Sequence, residues 1–191
     1  TLASSFQYAN SKTIYFINDT ETLLKIGQRD SGFPEDGIYQ QTANINVNES
    51  HIPIGTFTGE YDGQCYTISG LFDCFVNTLK GNISDLKFTR ANIKNSTKVT
   101  GLAACVVEKS GTVSNIWAEN VHIVSLSDSA HVGIGGGQVK GKVTNIMAVN
   151  SNVITKGKEA SAGIGGGEVK AGGKVDHTTA VNCHVTTKGN Y

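Results

Sequence analysis

The chain has 191 residues with 16 basic and 16 acidic side chains, a formal net charge of zero, and only two arginines, Arg29 and Arg90. It offers no field to draw in a polyanion, which argues against nucleic acid as a partner. With 23 Gly, 2 Pro and 17% charged residues against a usual level of about 25%, the composition fits an all-β chain rich in turns. No apolar run reaches the roughly 20 residues that a membrane helix needs, so no membrane insertion is expected.

The first element is a strand at Tyr15-Phe16-Ile17. In the stretch from Asn18 to Gly27, capping residues precede acidic and then apolar positions and a glycine closes the run, which predicts a short helix over 20–26. Such a helix would cover one open end of a repeat structure. Two turn-rich segments follow, at 36–48 and 52–75, the second holding Asp62-Gly63, a strong turn signal.

From residue 81 the chain repeats itself. GNISDLKFTRANI (81–93), GTVSNIWAENVHI (111–123), GKVTNIMAVNSNV (141–153) and GKVDHTTAVNCHV (173–185) align at steps of 30, 30 and 32 residues. VTGLAACVVEK (99–109), HVGIGGGQVK (131–140) and SAGIGGGEVK (161–170) recur with them. One column holds Ile83, Val113, Val143 and Val175; others hold Leu86, Ile116, Ile146 and Thr178, or Ile93, Ile123, Val153 and Val185. These apolar, β-branched columns are expected to point inward. Lys87, Trp117, Met147 and Thr179, and likewise Asn92, His122, Asn152 and His184, should point outward.

A 30-residue unit of short strands cannot bury its own apolar face, whereas stacked units share one core and pair every strand in parallel. A helical solenoid is the rival at this period, but Val, Ile, Thr and Asn are poor helix formers and the glycine runs would break helices. The expected fold is a single β-solenoid domain over 1–191, with an N-terminal cap and first coils in 1–80 and repeats in 81–191. Gly133, Gly135, Gly136 and Gly137, copied at Gly163 to Gly167, should form one tight edge through positive φ or close backbone approach. Asn120, Asn150 and Asn182, with Arg90 in the first copy, are either a stacked amide ladder at a corner or plain turn residues.

Cys65, Cys74, Cys105 and Cys183 match no zinc or redox spacing, so buried free thiols are expected, with Cys65 and Cys74 the one pair to test. Sequons at Asn18, Asn48, Asn82 and Asn95 would be glycosylated in a eukaryotic secretory pathway; coincidence is the other reading in a chain so rich in Asn, Ser and Thr.

The order of segments resembles a family. Residues 38–47 (IYQQTANINV) stand for a "yyxLtaDIdl" segment, residues 53–71 (PIGTFTGEYDGQCYTISGL) for "pIGtftGxfDGnghtIsgL", and Gly133-Ile-Gly-Gly-Gly with Gly141-Lys-Val-Thr-Asn-Ile for a "GLxGxxxGxIxN" repeat. This arrangement is similar to GLUG-repeat modules of bacterial surface and secreted proteins over roughly 14–189. The resemblance implies a right-handed parallel β-helix of the kind found in adhesin-like proteins and in the non-catalytic regions of IgA-directed peptidases. Gln41 stands where that family has Leu, Asn44 and Asn46 replace acidic residues, and Gly101-Leu-Ala-Ala-Cys105 is an atypical first repeat.

Gly136 to Lys142 fits seven positions of a phosphate-binding loop, but Val143 stands where Ser or Thr is needed and a strand follows, so no nucleotide cofactor is expected. His122 and His184 lie two coils apart, roughly 10 Å, too far to share a metal. Glu60, Asp62 and Asp73, with Arg90, are the candidate residues for a polysaccharide lyase or hydrolase, although Asp62 also reads as a turn residue. Trp117, flanked by Lys87 and Met147, is the candidate binding site, either a platform for a sugar or protein ligand or a residue covered by another segment. The leading expectation is a non-catalytic, secreted or cell-surface bacterial module, part of a longer exported chain or its processed form. It would use no cofactor or metal and would bind a host or cell-surface glycan or protein, or space a neighbouring domain. The alternatives are a carbohydrate-active enzyme and an effector that binds a host protein.

Overall fold

A β-branched strand of four residues with polar ends gains little by itself, but laid in register on a copy of itself it completes both its hydrogen bonds and its buried face. The computed structural model, which describes residues 13–48, 51–95 and 97–189, shows seven coils stacked in this way, six pairings along the main sheet. The sequons at Asn48 and Asn95 run into residues 49–50 and 96, outside the described residues.

The first turn holds β1 (Ile14–Ile17) and α1 (Thr20–Leu24). The second holds β2 (Ile38–Gln41), β3 (Ile45–Asn46) and β4 (Ile54–Phe57); the third β5 (Glu60–Asp62), β6 (Thr67–Ser69) and β7 (Val76–Leu79). In the fourth, β8 (Asn82–Thr89) lies over both β5 and β6, two further sides open at β9 (Asn92–Asn95) and β10 (Val99–Gly101), and β11 (Ala104–Val107) stacks on β7. The fifth repeats it with β12 (Thr112–Glu119), β13 (His122–Ser125), β14 (His131–Gly133) and β15 (Gly136–Val139). The sixth consists of β16 (Lys142–Val149), β17 (Asn152–Thr155), β18 (Ser161–Gly163) and β19 (Gly166–Val169), and the seventh of β20 (Lys174–Val181) and β21 (His184–Thr187). All the pairings between these strands are parallel, and Val113 faces Val143 as Ile83 faces Val113. The fold is the expected parallel β-solenoid.

The coils come in two sizes. From Ile38 to Glu60 to Asn82 the step is 22 residues, and only from Asn82 onward does it become 30. The extra residues build two sides, one made of β9, β13, β17 and β21 and one of β10, β14 and β18. One glycine column, Gly37, Gly59, Gly81, Gly111, Gly141 and Gly173, precedes the long sheet in every coil after the first. At Gly81 a Cβ would run into the carbonyl of Gly59, and at Gly141 into those of Glu108 and Gly111, so close approach between coils selects glycine. The Gly133–Gly137 corner works the same way: its glycines lack positive φ, and a Cβ on Gly137 would meet the Thr100 backbone at 2.7 Å.

Strict alternation fails inside the eight-residue strands. Ile83, Leu86 and Phe88 all face inward, three and then two residues apart, because Asp85 has φ of 53° and absorbs one residue; Asn115, Asn145 and His177 repeat this at 54°, 55° and 50°. The corner column Arg90, Asn120, Asn150 and Asn182 is also left-handed, at 53°, 55°, 49° and 53°. Its role is thus conformational, while hydrogen-bonded side-chain stacking occurs five residues earlier in the coil, at Asp85, Asn115 and Asn145.

The N-terminal core is aromatic. Tyr39, Phe57, Tyr61, Phe75 and Phe88 are buried in ring contact along the axis. Burial raises the Tyr39 and Tyr61 phenols above their ordinary value, so both stay protonated donors. Tyr61 donates to Gln41 Oε1 at 3.0 Å, and Gln41 Nε2 donates to the Ala43 and Thr67 carbonyls. A polar side chain in the leucine position of the resemblance is therefore fully partnered. Asn44 Oδ1 likewise accepts from the Thr67 N–H at 2.9 Å and Asn46 Oδ1 from the Asn48 N–H at 3.3 Å, a carboxylate's task done by an amide. The helix is shorter than expected, ending at Leu24, with Asp19 as N-cap in a capping box with Thr22; Leu23 and Ile26 nevertheless enter the core and close that end. In the seventh coil Val185 is 45% exposed, since no described residue lies over it.

The expected cysteine chemistry is corrected. Cys74 pairs with Cys105, with Cα atoms 5.6 Å apart, while Cys65 is exposed and free in a tight turn and Cys183 is half-buried and free. In a solenoid, residues about one coil apart come together, here 31 residues, whereas Cys65 and Cys74 share one coil and sit on different sides of it. The bond joins the last narrow coil to the first wide one.

Candidate functional site

The left-handed residue within each long strand bends the main sheet, and an open groove of about 440 Å³ follows the bend. One wall is the ladder in which Asn145 Nδ2 donates to Asn115 Oδ1 at 2.7 Å and Asn115 Nδ2 to Asp85 Oδ1 at 2.9 Å. The opposite wall is the stripe Lys87, Trp117 and Met147, in register on β8, β12 and β16. Leu86 and Ile116 form the floor, and Cys65 closes one end. Cys65 reaches there because residues 63–66 leave the sheet between β5 and β6 as a turn, with positive φ at Gln64 and Cys65.

Trp117 is 39% exposed. The Lys87 ammonium stands 5.4 Å from the centroid of its ring and 2.6 Å from Glu119 Oε2, so the cation bridges indole and carboxylate. That bond holds the Glu119 carboxyl below the ordinary value. The indole is thereby fixed as one rigid wall, with hydrogen-bonding amides facing it across the groove.

The other sequence candidates are dispersed. Glu60 and Asp62 flank buried Tyr61 on β5, and Asp62 Oδ1 accepts from the Gln64 N–H at 2.9 Å, a turn role. Asp73 accepts from the Cys74 N–H at 2.8 Å and lines a groove with Ile52, Pro53 and Cys105. Arg90 lines a different one with Asn44, Thr67 and Lys87. His122 and His184 are in register through Asn152, two coils apart, and His122 lines a further groove with Lys94 and Lys156. Among the described residues, the His, Cys, Asp and Glu donors gathered closely enough for a metal are Asp73, Cys74 and Cys105, and the disulfide occupies both sulfurs.

The amide ladder was not singled out as part of a site in the sequence. Its signal was there: Asp85, Asn115 and Asn145 interrupt the inward column at the same point in each coil.

No family model matches the chain, and no curated protein matches it. Among solved structures it is similar to the crystal structure of a putative immunoglobulin A1 protease from Bacteroides ovatus, with 13% identity and a TM-score of 0.48 over 91% of this chain and 77% of that chain.

Proposed function

We propose that the chain is a rigid binding module of the GLUG-repeat kind, carried on a secreted or cell-surface bacterial protein, and that its ligand is a glycan lying along the Trp117 groove. The observation that carries this reading is the facing of an exposed, Lys87-clamped indole by a ladder of amides across an open bend in the sheet. A sugar ring presents an apolar face and an equatorial rim of hydroxyls. The first suits an aromatic platform, the second suits amide donors and acceptors at strand spacing.

A glycan array probed with the chain tests it. Binding is expected to at least one glycan family, weakened about tenfold or more by Trp117→Ala and by Asn115→Gly, the glycine keeping the left-handed φ of 54°, with both variants shown to be folded by circular dichroism. Silence across neutral and acidic glycans, or binding indifferent to Trp117→Ala, overturns the assignment.

A further inference from the structure

A second constellation lies away from that groove, where the glycine corner folds the short fourth side of the solenoid against its neighbour. His131 on β14 faces Ser161 on β18, and Gln138 on β15 faces Glu168 on β19, each pair one coil apart. The corner glycines let these strands touch through their backbones: a Cβ on Gly167 would run into the Val132 N–H. Side chains from two sides of the coil therefore meet. Glu168 Oε2 lies 3.2 Å from His131 Nε2, and Ser161 Oγ lies 2.8 Å from His131 Nδ1.

The hydrogen bonds assign the protons. Lys170 donates to Glu168 Oε1 at 2.7 Å and Gln138 Nε2 to Oε2 at 2.9 Å, bonds that keep this carboxyl ionised. An ionised carboxylate accepts only, so the proton on the neutral imidazole sits on Nε2. Nδ1 then presents a lone pair, and the Ser161 hydroxyl must donate to it. This is the relay of a serine nucleophile, a base and an orienting acid, with the roles of the two ring nitrogens exchanged. His131 and Glu168 side chains are 22% and 26% exposed, reachable yet held. The N–H following a nucleophile, here that of Ala162, is a common oxyanion donor.

We infer that Ser161, His131 and Glu168 form a nucleophilic site for acyl transfer from small carboxylic esters to water. Ser161 Oγ attacks the ester carbonyl as its proton passes to His131 Nδ1. The carbon–alkoxy bond breaks, and the alcohol leaves with that proton. Water then attacks the acyl-serine, giving a proton to Nδ1, and Ser161 Oγ leaves and recovers it, releasing the acid. Ser161 and His131 are catalytic residues; Glu168 is a positioning residue. This inference is independent of glycan binding.

The test uses a fluorophosphonate, whose phosphorus accepts Ser Oγ with loss of fluoride. Mass spectrometry of the labelled chain is expected to place the adduct on Ser161. Labelling should slow about a hundredfold in His131→Gln and about tenfold in Glu168→Gln, and Glu168→Asp should recover part of the rate, which a merely structural acid would not do. p-Nitrophenyl acetate turnover should fall to background in Ser161→Ala. The decisive reading needs no variant: a parent chain with no adduct on Ser161 overturns the inference, as does labelling at the same rate in His131→Gln.

Discussion

Val153 and Val185 occupy the same column one coil apart, yet Val153 is fully buried beneath its neighbour and Val185 is 45% exposed. Replacing each with Ala removes the same two methylene-sized groups. At Val153 the lost transfer energy is about 1.6 kcal/mol, from about 0.8 kcal/mol per group. The hole left between coils that cannot close over it adds about 1 kcal/mol. At Val185 less of that surface was out of water and no enclosed hole forms, so the cost is about 0.5 kcal/mol. Urea unfolding followed by circular dichroism should separate the two variants by about 2 kcal/mol, with Val153→Ala the weaker. Equal shifts, or a larger one for Val185→Ala, would refute the stacking of these positions.

Gly141→Ala should lower the thermal midpoint by several degrees because its Cβ has no room against the Glu108 and Gly111 carbonyls, while Gly55→Ala, with open space around it, should leave the midpoint unchanged. Cys74→Ser should cost about 4 kcal/mol in urea unfolding, the loop-closure value for residues 31 apart, and Cys65→Ser should be silent. Burial holds the His51 imidazole below its ordinary value, so on acidification the unfolded chain takes up the proton first. The stability this group contributes is complete above about pH 6.5 and is lost as pH falls, by up to about 1.4 kcal/mol per pH unit until the folded-state value is passed. Urea midpoints of the parent and His51→Leu should therefore diverge between about pH 7.5 and about pH 5, the variant showing the flatter profile.

The parallel solenoid, its 30-residue step and the outward placement of Lys87, Trp117 and Met147 were legible because four copies put like residues in like columns. The narrow coils were not, although Gly37, Gly59 and Gly81 stand 22 residues apart. The excursion at 63–66 hides them: Glu60 pairs with Asn82 but Thr67 with Lys87, so the register changes by two within one coil and no single offset aligns the segments. The disulfide escaped notice for a related reason. Cys74 lies in a narrow coil and Cys105 in a wide one, and their separation matches a coil only once the step is known to change between them. His131 and Ser161 stand one 30-residue step apart in the same column, but Glu168 joins them through contact between two sides at a glycine corner, a closeness that the repeat step does not encode.

The stacking of residues 30 apart can be read directly by cross-linking. His122 and Asn152 are outward partners on adjacent strands, within the Cα separation a disulfide spans. With Cys65 and Cys183 changed to Ser, a chain carrying His122→Cys and Asn152→Cys should form the 122–152 bond on mild oxidation, seen as one linked peptide pair by mass spectrometry. A folded chain that leaves both thiols free, or links them only between molecules, would contradict the solenoid.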